Sequence, residues 1–145
     1  LIDKWTIMYF GFSSCPSECP VTMSELRKLI NALREKDFML DDKQWILVTI
    51  DPERDSAKDI NFYASRFDSS FVGLRAERPT LLSLTTQLNL AKVKPMKHEM
   101  HPIEELSNHV NNVILINKDA EYFGFFRPPF DISKLSLTYQ SVTTQ

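Results

Sequence analysis

The feature that most constrains the fold is a six-residue run, residues 45–50, in which every residue except Thr49 is apolar. A strand with one face in water alternates apolar and polar residues, whereas a strand covered on both faces is apolar almost throughout. Such strands are typical of parallel sheets that lie between helices. The run therefore predicts a central parallel strand, and we expect the rest of the chain to supply the helices that cover it.

Strand-like and helical segments alternate along the first half of the chain. A strand pattern at 5–10 is followed by a helical pattern that begins at Pro20, a residue suited to the first position of a helix, and ends near Asp37. A second helix follows a polar break, and Asp55 or Ser56 is suited to its N-cap. The apolar residues at helical spacing in these two segments are Val21, Met23, Leu26, Leu29, Ile30 and Leu33, then Ile60, Tyr63, Ala64 and Phe67.

The second half of the chain predicts a different arrangement. Its segments are a short strand at 71–74, a helix at 79–90, an aperiodic connection at 91–107, a hairpin with strands at 109–116 and 121–126, and a closing helix at 131–139. Strand, helix and strand followed by a hairpin and a helix is the order of the thioredoxin-like fold. We therefore predict an α/β protein with a central mixed β-sheet flanked by helices, in a single domain over residues 1–145.

Charge and hydropathy exclude two classes of partner. The net charge is −2 and the pI is about 5.9, and no basic stripe is present, so a nucleic-acid partner is not expected. The longest nearly uninterrupted apolar run, residues 5–12, is far shorter than the roughly 20 residues that span a bilayer. Any association with a membrane would need a segment outside this chain.

Cys15 and Cys19, each followed by a proline, are the only cysteines of the chain and come directly after the first predicted strand. Three residues separate them, one more than in a thioredoxin dithiol. The wider loop can spread both sulfur atoms around a soft metal ion or close into a disulfide. The spacing alone leaves metal binding and redox chemistry open.

His109 is the candidate third member of this site. In thioredoxin-like redox enzymes a proline just before the first strand of the hairpin faces the dithiol, whereas this chain has His109 there and its nearest preceding proline is Pro102. Two thiolates and one imidazole suit copper, because sulfur selects Cu(I) and nitrogen helps to hold Cu(II). Zinc accepts the same ligands but usually takes a fourth. The alternative interpretation of His109 is a polar residue at the entrance of a strand.

Several motifs together resemble the Sco/SenC family of copper-handling assembly proteins for cytochrome c oxidase. They are the segment Tyr9-Phe10-Gly11-Phe12, the Cys15-Pro16-Ser17-Glu18-Cys19-Pro20 motif, and the block Val48-Thr49-Ile50-Asp51-Pro52-Glu53-Arg54-Asp55. The resemblance covers almost the whole chain and implies that Cys15, Cys19 and His109 are copper ligands. It also implies that the chain lacks the amino-terminal strands and the membrane anchor of the family.

The resemblance implies a copper chaperone without turnover chemistry. Its partners would be the copper-centre subunit of cytochrome c oxidase and other copper carriers. Its location would be the bacterial periplasm, anchored to the membrane, or alternatively the mitochondrial inner membrane facing the intermembrane space. The alternative function is a thiol-disulfide oxidoreductase, in which Cys15 and Cys19 form a redox-active pair that reduces the cysteines of the oxidase copper site. A peroxidase of the same fold is a third and poorer match.

Two accessory features belong to the predicted site. Asp51 follows a strand that is predicted to end at the same sheet edge as the cysteines. It has either a supporting role beside the metal or a role in docking a partner. The alternative is that Asp51 only ends the strand. The second feature is a cluster of soft ligands in the long connection, which is either a solvated loop or a transient entry site for copper. Its members are Met96, His98, Met100 and His101.

Overall fold

A computed structural model describes residues 3–13, 18–87, 113–127 and 130–144, and for Glu18, Cys19 and Thr85 it describes the backbone alone. These residues form five strands and four helices. In chain order they are β1 (Trp5–Gly11), α1 (Glu18–Glu35), β2 (Lys43–Thr49), α2 (Ala57–Ser65), β3 (Phe71–Leu74), α3 (Arg78–Gln87), β4 (Val113–Ile116), β5 (Tyr122–Phe126) and α4 (Ile132–Thr143).

The five strands form one mixed sheet in the order β3-β2-β1-β4-β5. Strand β2 is parallel to both β1 and β3, while β4 is antiparallel to β1 and to β5. The apolar run that includes Trp45 and Val48 therefore lies in a strand with parallel neighbours on both sides. The predicted α/β fold with a central mixed sheet is confirmed.

Side chains alternate between the two faces of the sheet, and each face has its own apolar core. On one face, Ile7, Tyr9, Trp45 and Leu47 pack against α1, α2 and α4. The other face contacts Leu81 and Leu84 of α3. Its buried strand residues are Met8, Phe10, Ile46, Val48, Ile114 and Ile116. Because both faces are covered, β1 and β2 have to be apolar at nearly every position, and β1 is buried along its whole length.

Two helix boundaries differ from the sequence prediction. Helix α1 begins at Glu18, so Pro20 is its third residue and not its first. Proline is compatible with that position because the first four N–H groups of a helix have no partner within the helix. Helix α4 continues past residue 139 to Thr143, whose buried hydroxyl donates a hydrogen bond to the Tyr139 carbonyl oxygen at 2.8 Å. A polar residue at the buried position hid this last turn from a search for apolar periodicity.

The other predicted elements agree where the structure describes them. Helix α3 is seen to Gln87 and β4 from Val113, and the hairpin turn between β4 and β5 lies at 117–121, one residue longer than predicted because β5 begins at Tyr122. The long connection at 91–107 and the first part of the strand predicted at 109–116 lie outside the described residues. Within the described ranges, no helix combines the length and apolarity needed to cross a membrane.

Candidate metal site at the carboxyl edge of the sheet

The candidate site lies where β1 and β2 end side by side. The two strands are paired up to Gly11 and Thr49, and the Ile50 N–H then donates to the Gly11 carbonyl oxygen at 2.8 Å. Strand β4 starts near this edge, because Ile114 pairs with Met8 in an antiparallel register. Three segments of the chain thus begin or end together, and the carboxyl edge of such a sheet is where α/β proteins place their sites.

Helix α1 brings one cysteine to this edge. The backbone of Cys19 lies in the first turn of α1, and the next turn is fixed by the buried side chains of Thr22 and Met23. The described residues after β1 end at Ser13. Cys15 comes two positions later and lies outside the described residues. The cysteine loop is therefore attached to β1 at its start and to a packed helix at its end.

Asp55 joins the start of the cysteine loop to the neighbouring strand. Its carboxylate, which is 2% exposed, accepts hydrogen bonds from the Ser13 N–H at 3.0 Å and from the Ser13 hydroxyl. The buried hydroxyl of Thr49 donates to the same carboxylate at 2.8 Å. Of the two residues suited to the N-cap of α2, Ser56 has that role, with a capping box to Asp59. The cap explanation of Asp55 was wrong, because its side chain points to β1 and β2.

Asp51 lies at the same edge and is 2% exposed. Its Oδ2 is 3.6 Å from Nε of Arg54, whose side chain is largely in solvent. Its Oδ1 is buried and has no hydrogen-bond partner among the described residues. Buried carboxylate oxygens are almost always paired, so an unpaired one at a candidate site is a free acceptor for a neighbouring group or a water molecule. The main-chain role of Asp51 is also visible, since its carbonyl accepts from the N–H groups of Arg54 and Asp55.

Two arginines hold the turn that follows Asp51. The Arg78 guanidinium donates two hydrogen bonds to the Glu53 carboxylate, and Nε of Arg75 donates to the Pro52 carbonyl oxygen at 3.0 Å. The hydrogen bonds from Arg78 lower the pKa of Glu53 to about 2, and the same contact raises the pKa of Arg78. Sequence reasoning missed this contact, which joins the strand-to-helix turn to the start of α3.

Most of the predicted ligand set falls on residues that the structure does not describe. Cys15, His109, Met96, His98, Met100 and His101 lie outside the described residues, and the side chain of Cys19 is not described. Among the described residues, no cluster of three or more His, Cys, Asp or Glu side chains could hold a metal ion. Of the predicted site residues, Asp51 alone has a described side chain, and it lies at the expected edge.

A mixed five-stranded sheet with helices on both faces, and a cysteine in the first turn of the helix after β1, defines a thioredoxin-like protein. The profile of the SCO1/SenC family matches residues 1–143, and the chain belongs to that family. Among its relatives, the mitochondrial protein SCO2 homolog of Danio rerio is 37% identical over 125 residues, which are 86% of this chain. The chain spans less than two thirds of the length of such curated relatives, and 44% of the zebrafish protein.

Solved structures share the fold. Yeast Sco1 with copper bound superposes with a TM-score of 0.78 and 21% identity, covering 99% of this chain and 80% of that one. BsSco, described as a member of the Sco family of cytochrome c oxidase assembly proteins with a disulfide switch, has a TM-score of 0.68 and 16% identity. That match covers 98% of this chain and 81% of BsSco. At these identities the likeness concerns the fold.

Proposed function

We propose that this chain binds copper through Cys15, Cys19 and His109 and delivers it to the copper-centre subunit of cytochrome c oxidase. The observation that carries the proposal is the convergence of three chain segments at one sheet edge. Cys15 stands two positions after Ser13, Cys19 belongs to the first turn of α1, and His109 precedes the start of β4 by four positions. Four residues of extended chain reach at most about 14 Å, which keeps His109 within range of this edge.

The donor set fits copper. Two thiolates satisfy Cu(I), and one imidazole adds the nitrogen that Cu(II) prefers. The cysteines must be reduced to bind a metal ion, so the copper-loaded and disulfide forms exclude one another. Copper is cargo in this function: it arrives from another copper carrier and leaves by ligand exchange, and the protein catalyses no turnover reaction. Copper-bound yeast Sco1, which has the same fold, supports copper as the metal.

Asp51 is the accessory residue of this site with a described side chain. Its Oδ1, which has no partner in the described part of the chain, would accept a hydrogen bond from a group of the metal site, as carboxylates commonly do for the second ring nitrogen of a ligand histidine. Met96, His98, Met100 and His101 are proposed as a transient entry site for copper, since thioethers and imidazoles are ligands that soft metal ions prefer.

The second candidate function is a thiol-disulfide oxidoreductase that reduces the copper-binding cysteines of the oxidase subunit. It is favoured by the short separation of Cys15 and Cys19 and by the disulfide switch described for BsSco. For location, the zebrafish relative is mitochondrial, and we propose the inner membrane facing the intermembrane space as one location for this chain. The bacterial periplasm, with a membrane anchor outside this chain, is the other location that we propose.

Copper titration of the reduced protein tests the proposal. We expect one copper ion per chain, and a thiolate-to-Cu(II) charge-transfer band that disappears in Cys15→Ala and in Cys19→Ala. Titration of the same variants with Cu(I) measures how much each thiolate contributes. A purified protein that retains copper but does not reduce the cysteines of the oxidase subunit would favour the chaperone. A protein that reduces those cysteines but retains no copper would favour the oxidoreductase. Stoichiometric copper binding by a Cys15→Ala, Cys19→Ala double variant would contradict the proposed site.

A further inference from the structure

Ser13 has an unusual set of contacts for a residue at the start of a loop. Both its N–H and its hydroxyl donate to one carboxylate, that of Asp55, which is 42 positions away in sequence. Asp55 is buried, and the carboxylate oxygen that accepts from the Ser13 N–H also accepts from the Thr49 hydroxyl at 2.8 Å. The N–H of Asp55 also donates to the Asp51 carbonyl oxygen at 2.9 Å, which fixes the backbone that carries the carboxylate.

We infer that Asp55 is a positioning residue for Cys15: by holding Ser13 against the end of β2, it fixes the starting point of the cysteine loop. This inference rests on the proposed function. Cys15 follows Ser13 by two positions, and Cys19 is anchored by the first turn of α1. Holding both described ends of the loop would limit how far its two sulfur atoms can separate before any metal arrives.

The physical consequence is pre-organisation. A ligand pair that is already held close loses less conformational freedom on binding a metal ion, and the same restriction raises the effective concentration of one thiol at the other. Removing the Asp55–Ser13 contacts should therefore weaken copper binding and disulfide formation together. A residue that only stabilises the fold would change neither property in the folded protein.

The test compares four variants of the full chain. Asp55→Ala removes all three hydrogen bonds to the carboxylate, Ser13→Ala removes one contact of the loop, and Asp55→Asn keeps the side-chain shape and part of the hydrogen bonding. Ser56→Ala is the matched control, because it removes the N-cap of α2 next to Asp55 and leaves Ser13 untouched.

Two equilibria are measured for each variant. One is the Cu(I) dissociation constant, determined by competition with a chelator. The other, in metal-free protein, is the equilibrium with glutathione: two thiols and one oxidised glutathione give the protein disulfide and two reduced glutathiones, so two electrons and two protons pass to glutathione.

We expect Asp55→Ala to weaken copper binding by about tenfold or more, as loss of a supporting residue commonly does. Ser13→Ala should weaken it by roughly three- to tenfold, and Asp55→Asn should lie between Asp55→Ala and the unmodified protein. The disulfide equilibrium constant should fall in the same order, and Ser56→Ala should stay within about twofold in both.

If Ser13→Ala and Asp55→Asn fold normally but match Ser56→Ala in both equilibria, Asp55 stabilises the fold alone and the inference is wrong. Ser13→Ala keeps this decision available even if Asp55→Ala does not fold. Failure of the proposed function has a different signature, because the unmodified protein would then bind no copper through its cysteines. The glutathione equilibrium would still measure whether Asp55 positions Cys15.

Discussion

Gly73 of β3 lies directly against the backbone of Ile60 in α2. A Cβ atom added at Gly73 would be 2.3 Å from the Ile60 carbonyl oxygen, a distance that real side chains do not reach. The N–H of Gly73 also donates a hydrogen bond to Oδ1 of Asn61 at 3.0 Å, which further holds β3 against α2. Helix α2, which starts directly after Asp55, is thus packed on the edge strand at backbone distance.

The contact predicts that Gly73→Ala destabilises the protein strongly. The clash is with backbone atoms, so α2 has to move away from β3, and overpacking of this kind costs about 1–3 kcal/mol or more. Urea denaturation should show a lower midpoint at an unchanged slope. Gly124→Ala in β5 is the matched control, because a Cβ there would meet no atom of the described residues within 4 Å. Equal destabilisation by the two substitutions would contradict the explanation.

Asp42 predicts a specific dependence of stability on pH. Burial alone would raise its pKa, but hydrogen bonds from Lys118 and Lys43 and the positive charges of both lysines lower it to about 2, from 3.8. A carboxyl group with a pKa lower in the folded state adds stability above the unfolded pKa, and that stability is lost as the pH falls. We therefore expect the contribution of Asp42 to be complete above about pH 5 and to disappear between roughly pH 4 and pH 2.

The measurement is the free energy of unfolding of Asp42→Asn at several pH values. The variant should be less stable than the unmodified protein at pH 6, and the difference should shrink as the pH approaches 2. Asp41→Asn, at the exposed neighbouring position, serves as the control. A difference that stays constant from pH 6 to pH 2 would show that the two lysines do not stabilise the charged form of Asp42.

The sheet and its helices could be predicted because their signals are local. The apolar run of β2 follows from burial of both faces of the strand, and the helical spacing of apolar residues in α1 follows from burial of one face of the helix. The role of Asp55 could not be predicted in this way. Its partner Ser13 is 42 positions away, and a polar residue before Ser56 is suited equally well to a helix cap.

The cysteine pair could be predicted as a functional site because its spacing is itself the chemical signal. Asp51 was predicted because it follows the central strand, and the structure adds that it is buried, with one oxygen that has no hydrogen-bond partner among the described residues. What the sequence could not supply is the distance between such groups, since separate segments meet only when the sheet forms. The Glu53–Arg78 contact illustrates this. Charged side chains of this kind usually lie in solvent, and these two are 25 positions apart, so the sequence gives no sign that they meet.

Asp51→Asn should separate a role at the metal site from a role in folding. The substitution keeps the shape of the side chain. Among the described residues, the one ion pair of this carboxylate is with Arg54, which is largely in solvent, so the free energy of unfolding should change by less than about 1 kcal/mol. If Asp51 supports the proposed metal site, copper affinity should fall by about tenfold, because the amide has no negative charge and one acceptor oxygen in place of two. Isothermal titration and urea denaturation of the same sample measure both. Unchanged affinity would assign Asp51 to the turn alone.

His109→Ala tests the nitrogen ligand of the proposed site. Two thiolates alone can satisfy linear Cu(I), whereas Cu(II) prefers at least one nitrogen, so the variant should lose far more affinity for Cu(II) than for Cu(I). The charge-transfer band of the Cu(II) form should shift or vanish. Stability of the metal-free protein should change little, which circular dichroism during urea denaturation would measure.

The connection that contains Met96, His98, Met100 and His101 provides the control for His109, because it has two other imidazoles that also precede β4 in the sequence. His98→Ala and His101→Ala should leave the affinity of the main site nearly unchanged and at most slow the loading of copper, since the loop is proposed as an entry site only. Stopped-flow mixing with Cu(I) separates loading rate from affinity. If His109→Ala keeps the Cu(II) affinity and spectrum while His98→Ala or His101→Ala abolishes them, the third ligand comes from the loop, and the assignment of His109 is wrong.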